Sequence, residues 1–278
     1  MKDFFDVKYL YDDIYRITDV TGVNSYLVIG KEKAALLDTG CGLGNIREVV
    51  KSITQLPVMV LLSHGHVDHA GGISAFSDVW IHDSDRELLA IHSQKRFRMP
   101  YCKLAVSPEM QSAVTDMNFI DEGMPVLHSL KEKDQIDLGG RVIEIVGFAG
   151  HTQGSVGFYD VNTDTLFSGD GANNSTFLFA DHCLSVARYR EVLCRIREEY
   201  SLRMKHYVIC HDYDEVPLTC LDQVIACCDL ILAGETSGIY FDFPFEPLHS
   251  EYSYYAVDPQ KTGIENFGNI IYNKHNII

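Results

Sequence analysis

The chain is 278 residues long, and 46% of its residues are hydrophobic and 22% charged, which is ordinary for a soluble globular protein. A chain of this length can bury a core of its own, as one large domain or two small ones. The formal net charge of −16 argues against nucleic acid and anionic membranes as partners, because affinity for phosphates comes largely from Lys and Arg.

Apolar runs and alternating patterns predict a strand-rich first part. In chain order, its predicted elements are strands over 14–17, 25–29 and 34–37, a helix over 45–53, and strands over 58–62 and 79–82. A second set of strands begins near Gln135. The later predicted elements are strands over 142–146, 155–159, 165–167 and 207–210, with helices over 185–198 and 219–232.

This order of elements predicts the fold class. Strands come in runs with helices after each run, which favours an α/β (α+β) fold of two mixed β-sheets packed face to face, with helices on the outer faces. We see no linker, so a single domain over residues 1–278 is expected. Two segments stand apart from the pattern: an insertion at about 84–132 and an aromatic C-terminal tail from about 240. Either would line a pocket or simply cover the surface.

The segment His64-Gly-His-Val-Asp-His69, which follows the strand over 58–62, is the most informative part of the chain. Neutral imidazole and carboxylate are the usual ligands of zinc and its neighbours. Residues i and i+2 lie on one side of an extended segment, so His64 and His66 would share an ion if the loop stays extended. Asp68 and His69 would point differently if the backbone turns helical there. The loop therefore predicts a metal site.

Three further candidate ligands lie at the ends of later strands. His151 sits in a glycine-flanked turn between two strand patterns, which presents its side chain with little hindrance. Asp170 follows the strand over 165–167 and would be the natural bridging carboxylate. His211 closes the strand over 207–210, a position that fits a ligand. The remaining histidines, including His92 and His182, lack such a context and are expected at the surface.

Taken in order, these motifs resemble those of the metallo-β-lactamase superfamily. The matching motifs are the Asp38-Thr39-Gly40 strand end, His64-x-His-x-Asp-His69, Gly150-His151-Thr152, Gly169-Asp170 and a strand-end His211. They extend over most of the chain, from about residue 14 to 212. The resemblance implies a four-layer αβ/βα sandwich with the metals at one edge of the sheets.

The resemblance also implies a role for each matching residue. His64, His66 and His151 would bind a first metal, whereas Asp68, His69 and His211 would bind a second, with Asp170 bridging the two. Asp38 would orient a ligand histidine, in keeping with the general need to fix the rings that bind a metal.

Comparison with other members of the family limits the reactions that this chain is expected to catalyse. The penicillin-destroying members of the family lack a carboxylate like Asp170, and the di-iron oxygen-reducing members carry glutamate in place of His66. RNA-cutting members usually add a further domain, and a net charge of −16 disfavours binding to RNA. With these members set aside, the chain resembles glyoxalase II thioesterases and acyl-homoserine lactonases. The expected function is a dinuclear metal-dependent hydrolase of a small acyl ester, thioester or lactone.

The expected mechanism follows from the charges. The charges of Asp68 and Asp170 would neutralise only part of the charge of two divalent metals. The remaining positive charge would stabilise hydroxide, so a metal-bridging hydroxide would attack the acyl carbon. One metal would hold the developing oxyanion, and Asp68 would pass on the proton as the catalytic acid–base group. A tyrosine from the insertion or the tail would help to hold the oxyanion, but the sequence does not indicate which one. Zinc is the expected metal, with iron or manganese as alternatives, because imidazole and carboxylate accept all three.

The same motifs are compatible with two alternative functions. The first is a phosphodiesterase or phosphatase on the same dinuclear site, since two metals also clamp in-line phosphoryl transfer. The second is a mono-iron dioxygenase of the persulfide type, which uses two histidines and an aspartate and which the motifs also resemble. A metal-bound sensor or electron carrier is least favoured, because nothing in the chain suggests a partner domain.

The eight cysteines and the N-terminus bear on the cellular location. No cysteine pair has C-x-x-C spacing, and at this density in a long chain reduced thiols are expected. Neither a signal peptide nor an apolar run of membrane-spanning length is evident. We therefore expect a cytoplasmic protein that acts on a small-molecule substrate, binds neither nucleic acid nor membrane, and forms a homodimer by default.

Overall fold

The computed structural model describes residues 4–261 and 267–278. Its helices are α1 (Ile46–Ile53), α2 (Val67–Ala70), α3 (Arg86–His92), α4 (Lys95–Ala105), α5 (Val186–Tyr200) and α6 (Cys220–Ala233). Its strands are β1 (Phe5–Tyr11), β2 (Ile14–Asp19), β3 (Asn24–Ile29), β4 (Ala34–Leu37), β5 (Val58–Leu61), β6 (Asp78–His82), β7 (Val126–Leu130), β8 (Gln135–Asp137), β9 (Val142–Gly147), β10 (Val156–Asp160), β11 (Thr165–Phe167), β12 (Thr176–Leu178), β13 (His206–Val208), β14 (Glu215–Val216), β15 (Ser253–Tyr255) and β16 (Ile270–Asn273).

Within the described residues, the strands form three sheets. The first has seven strands in the order β1-β2-β3-β4-β5-β6-β7, antiparallel as far as β4 and parallel beyond it. The second has six strands in the order β14-β13-β11-β10-β9-β8, in which β11 and β13 run parallel. A third sheet of three strands, β12-β16-β15, is built from the C-terminal tail and one earlier strand.

The two large sheets pack face to face around a buried apolar layer. This layer combines residues of β2, β3, β4 and β5 with residues of β9, β10, β11 and β13. The outer face of the first sheet packs against α1, α2 and α3, and the outer face of the second packs against α5 and α6. The observed order is therefore helix, sheet, sheet, helix, which confirms the predicted four-layer sandwich of mixed sheets.

Parallel strands bring several loops to one edge of this sandwich. In the first sheet β4 and β5 are parallel, and the Asp38 turn and the histidine loop follow their ends. In the second sheet β11 and β13 are parallel, and Asp170 and His211 follow their ends. The carboxyl ends of parallel strands lie at a common edge, where open α/β sheets generally bind ligands.

The segment between 84 and 132 is only partly an addition to the sheets. It contains α3, α4 and short 3₁₀ turns, but its last residues form β7, the edge strand of the first sheet. The strand predicted over 207–210 ends at Val208, and β1 was not predicted. Across the two described stretches, every helix is too short or too polar to span a lipid bilayer.

Candidate metal centre

The histidine loop is extended up to His66 and helical after it. His66 has φ −72° and ψ 157° and immediately precedes α2. His64 and His66 therefore lie on the extended part of the loop, whereas Asp68 and His69 lie on the single turn of α2. The predicted change in direction between the two pairs is what the structure shows.

Three histidines, His64, His66 and His151, converge as a first ligand group. One ring nitrogen from each lies within 4.8 Å of the others. Nδ1 of His66 is 2.8 Å from Nε2 of His151. Nε2 of His64 is buried and has no hydrogen-bond partner among the residues that the structure describes. A buried, unpaired imidazole nitrogen that points into a cluster of other ring nitrogens fits a metal ligand, because burying an unpaired polar atom is otherwise costly.

Hydrogen bonds fix the tautomers of these rings. Nδ1 of His151 lies 2.6 Å from the carbonyl oxygen of Phe177 and must donate to it. Nδ1 of His64 lies 2.9 Å from Oγ of Ser63, whose own proton goes to Asp38. Both histidines therefore carry the proton on Nδ1 and leave Nε2 unprotonated, which is the form that binds a metal.

Asp38 holds the histidine loop through hydrogen bonds to two of its residues. Its carboxylate accepts hydrogen bonds from the backbone N–H of Ser63 at 2.7 Å, from the Ser63 hydroxyl at 2.7 Å and from Nδ1 of His69 at 2.8 Å. Asp38 has φ +64°, a left-handed conformation that is unusual outside glycine. Asp38 therefore contacts the ring of His69, and this geometry fits the orienting role that the resemblance implies.

A second ligand group consists of Asp68, His69 and His211, whose ligand atoms also lie within 4.8 Å of one another. Asp170 lies between the two groups. Its carboxylate oxygens are 3.4 Å from Nε2 of His69, 3.2 Å from Nε2 of His211 and 3.6 Å from Nε2 of His151. The structure thus brings together all seven residues that the sequence analysis names as ligands.

The approach of Asp170 depends on the glycine before it. Gly169 has φ +54°, and a Cβ added there would lie 2.8 Å from Cβ of Ser63. A side chain at this position would push the Asp170 turn away from the histidine loop, since real Cβ atoms do not come so close to their neighbours. Glycine at 169 therefore lets the two sheets present their ligands at one point.

The two groups differ electrostatically. Burial and the neighbouring histidines lower the pKa of His64 and of His66 well below the usual value, so both rings are neutral. In the second group, burial by itself would lower the pKa of His69 and of His211. Nearby carboxylates, Asp170 foremost, outweigh this effect and raise the pKa of His69 well above the usual value and that of His211 to about 8. The second group is therefore a site of negative potential that favours a cation.

A pocket of about 250 Å³ opens beside the ligands. Its lining combines ligands, polar side chains and apolar side chains: His66, Val67, Asp68, Tyr101, His151, Asp170, Asn173, Asn174, Ser175, Phe177, His211, Asp212, Phe243 and Leu248. A concave site with a few converging polar groups and perturbed titratable residues is typical of an active site.

Sequence reasoning missed three buried or half-buried residues near the ligands. His92 is only 3% exposed and stacks on His66, and Nε2 of His182 lies 2.9 Å from Nε2 of His66. Neither is a simple surface residue, so that expectation was wrong. Tyr101, from α4, donates a hydrogen bond to Asp68. Residue type alone gave no signal for these contacts, because each depends on how α3, α4 and the loop before α5 pack.

Asp85 was also missed. Its buried carboxylate accepts hydrogen bonds from the backbone N–H of Gly65 at 2.9 Å, from the Thr152 hydroxyl at 2.7 Å and from the backbone N–H of Gly154 at 2.8 Å. Gly65 belongs to the histidine loop, and Thr152 and Gly154 belong to the His151 turn. Asp85 therefore joins the two loops that provide the first ligand group.

Known proteins are similar in sequence to part of this chain. Human acyl-coenzyme A thioesterase MBLAC2 is 28% identical over 169 residues, which is 53% of this chain and 57% of that protein. The chain thus spans little more than half the length of this relative. The probable metallo-hydrolase YqgX of Bacillus subtilis (strain 168) is 23% identical over 178 residues, 57% of this chain and 76% of YqgX.

Solved structures show the same fold. A metallo-beta-lactamase from Pontibacter korlensis aligns with a TM-score of 0.61 at 20% identity, covering 80% of this chain and 97% of the other. The DIM-1 metallo-beta-lactamase exposed to ceftazidime aligns with a TM-score of 0.60 at 14% identity, covering 81% and 96%. The family model for the metallo-beta-lactamase superfamily matches residues 18–191, a span that holds six of the seven candidate ligands. By sequence and by fold, the chain belongs to the metallo-beta-lactamase superfamily.

Proposed function

We propose that the chain is a dinuclear metal-dependent hydrolase of a small acyl ester, thioester or lactone. The first and second ligand groups would each hold a divalent ion, and Asp170 would bridge the two. The observation that carries this proposal is the position of Asp170, within 3.6 Å of ring nitrogens from both groups. The donors are imidazole nitrogens and carboxylate oxygens, which suit zinc, our proposed metal, and also iron or manganese.

The proposed reaction adds water across the acyl bond. When bound, divalent ions lower the pKa of water towards neutrality and polarise an acyl carbonyl. The water oxygen joins the acyl carbon, and the bond from that carbon to the ester oxygen or thioester sulfur breaks. An ester or thioester yields a carboxylate and an alcohol or thiol, whereas a lactone opens to one hydroxycarboxylate, and the second proton of the water goes to solvent. Asp68, which lines the pocket, takes the water proton and passes it to the leaving atom. Tyr101 holds the carboxylate of Asp68 in place.

The similarity to a named thioesterase supports an acyl bond as the target. The human relative carries the name acyl-coenzyme A thioesterase. Thioesters, esters and lactones share a carbonyl carbon that water attacks, so one arrangement of ligands and proton carrier serves all three.

A metal count combined with a substrate panel tests the proposal. Purified protein would be analysed for zinc, iron and manganese per chain, then assayed on thioesters, esters, lactones, phosphodiesters and phosphate monoesters. We expect two ions per chain and turnover of acyl substrates. His66→Ala should lower both metal content and turnover, whereas His275→Ala, an exposed histidine on the C-terminal tail, should change neither.

Three results would contradict the proposal. Turnover of phosphodiesters or phosphate monoesters without turnover of acyl substrates would favour the phosphodiesterase or phosphatase alternative. A single iron per chain with oxygen uptake would favour the dioxygenase alternative. Unchanged activity in His66→Ala would remove His66 from the ligand set.

A further inference from the structure

One side of the pocket is a wall of apolar side chains that directly adjoins the ligands. Phe177, Phe243 and Leu248 line the pocket, and we call these three residues the apolar wall. The rings of Phe177 and Phe243 are 5.3 Å apart in an edge-on contact. The carbonyl oxygen of Phe177 accepts the Nδ1 proton of His151, so the wall begins one hydrogen bond from the first ligand group.

The C-terminal tail supplies two of the three wall residues, Phe243 and Leu248, and Phe243 belongs to an alternating pattern. Phe241, Phe243 and Phe245 are partly or fully buried, whereas Asp242 and Pro244 between them are exposed. Residues two apart in an extended segment face the same side, so the three rings point inward together. Behind the wall, Phe241 contacts Phe177 at 5.3 Å.

The tail is also anchored to the insertion. Phe245 contacts Phe97 at 5.2 Å and Tyr101 at 5.7 Å, both on α4. Tyr101 in turn donates to Asp68, the proposed proton carrier. The wall is therefore held from two directions, and its position relative to the site of acyl hydrolysis is fixed by packed aromatic rings rather than by a free loop.

The pocket lining also includes polar side chains. It presents Asn173, Asn174, Ser175 and Asp212. Among the described residues that line the pocket, none is Lys or Arg. Phosphate groups are recognised by Lys, Arg and helix N-termini, so this lining does not suit a leaving group that carries several phosphates.

We propose that the substrate has an apolar acyl group, which packs against the apolar wall, and a leaving group without charge, which faces the amide side chains. This inference rests on the proposed acyl hydrolase function and names its substrate class. It separates this chain from an enzyme built for acyl-coenzyme A, whose leaving group bears phosphates.

A panel that varies both parts of the substrate tests the inference. Straight-chain thioesters with two to ten acyl carbons would be assayed as coenzyme A and as N-acetylcysteamine derivatives on the metal-loaded protein. We expect kcat/KM to rise about fourfold for each methylene that the wall buries, until the wall is covered. At each length the uncharged N-acetylcysteamine thioester should be the better substrate. Equal rates at all lengths, or a preference for coenzyme A, would overturn the inference.

Binding provides a readout that does not depend on turnover. Calorimetric titration with straight-chain carboxylates should show affinity rising with chain length. Phe243→Ala should flatten this rise and the corresponding rise in kcat/KM, because it removes the ring that contacts the chain. Tyr240→Ala removes an exposed ring from the same tail, outside the pocket, and is the matched control. A rise that is equally steep in Phe243→Ala would overturn the role of the wall.

The two proposals fail in different ways. Carboxylates that bind with the expected length dependence, in a protein that hydrolyses no acyl substrate, would leave the apolar wall in place and reject the hydrolase function. Hydrolysis of acyl substrates at rates that do not depend on acyl length would support the hydrolase function and reject the role of the apolar wall.

Discussion

The Tyr101 hydroxyl donates a hydrogen bond to Oδ2 of Asp68 at 2.9 Å, across the boundary between α4 and α2. Burial, and then the Asp68 carboxylate, raise the pKa of Tyr101 well above its usual value, so the hydroxyl remains a donor across the physiological range. A carboxylate that accepts such a bond is held in one orientation beside its histidine neighbours. Tyr101 thus contacts a candidate ligand, whereas the tyrosine expected from the sequence was one that holds the oxyanion, a role that stays a prediction.

Tyr101→Phe removes this donor and keeps the ring. We expect kcat for an acyl substrate to fall about tenfold, the lower end of the effect typical of groups that orient a metal ligand. Steady-state kinetics on protein with measured metal content would check this. Tyr240→Phe removes an exposed hydroxyl elsewhere and is the control. If kcat were the same in Tyr101→Phe and the parent, Tyr101 would have no role in positioning Asp68.

Asp38→Asn tests the hold on His69. Asparagine tolerates the left-handed backbone of Asp38, so the substitution changes the charge and largely spares the conformation. We expect metal affinity to fall ten- to one hundredfold, since the single amide oxygen cannot accept from both the Ser63 N–H and Nδ1 of His69, as the two carboxylate oxygens do. A competition titration against a chromogenic zinc chelator measures this.

The matched control for that variant is Asp13→Asn. Asp13 is exposed and has φ +57°, so it shares the unusual backbone but not the site. Its metal affinity should equal that of the parent. Equal losses in the two variants would mean that the effect comes from the backbone rather than from His69.

Asp85→Asn should weaken the junction between the histidine loop and the His151 turn. An amide presents donor hydrogens where the carboxylate accepts three bonds, so buried donors would face each other. We expect the free energy of unfolding to fall by about 3 kcal/mol, as for the loss of charged hydrogen bonds in a buried site. Urea denaturation would measure the loss. Asp83→Asn, two residues away and exposed, should cost much less, and a similar loss in both would contradict the assignment.

Stability should fall in alkaline solution because of buried thiols. Burial raises the pKa of Cys183, Cys210, Cys220 and Cys227 to about 12, whereas the same thiols in the unfolded chain ionise near their ordinary value of about 9. Between these values the folded state binds more protons than the unfolded state, so the free energy of unfolding decreases as pH rises. Each thiol contributes a slope approaching about 1.4 kcal/mol per pH unit.

Denaturant unfolding at pH 8, 9, 10 and 11 under reducing conditions would measure this slope. Cys227→Ala should reduce it by the share of one thiol, and Cys220→Ala by a similar amount. A free energy of unfolding that stays constant from pH 9 to 11 would contradict the prediction.

Much of the centre could be predicted because its ligands follow strand ends. His64, His66, Asp68 and His69 are neighbours in sequence, and their spacing alone separates an extended pair from a helical pair. His151 and Asp170 sit in short turns after strands whose apolar patterns are clear. Local pattern therefore located these residues, and the common edge of the sheets brings them together.

The supporting residues could not be predicted because they act over long sequence distances. Asp85 bonds to Thr152, and Tyr101 to Asp68, only once α3 and α4 have packed. The strand β7 was missed because its alternation is weak, with Val126 exposed and only Leu130 buried. The aromatic tail was noticed, but its contact with Phe177 is a tertiary fact that no local pattern contains.

The seven candidate ligands are divided between the two sheets: the loop after β5 carries four of them, and the loops after β9, β11 and β13 carry the other three. Ions at this edge would therefore act as cross-links that clamp one half of the sandwich to the other. At a free metal concentration of about a thousand times Kd, such a clamp contributes about 4 kcal/mol per ion to the folded state. The concentration of available metal would then determine the stability of the fold as well as the activity.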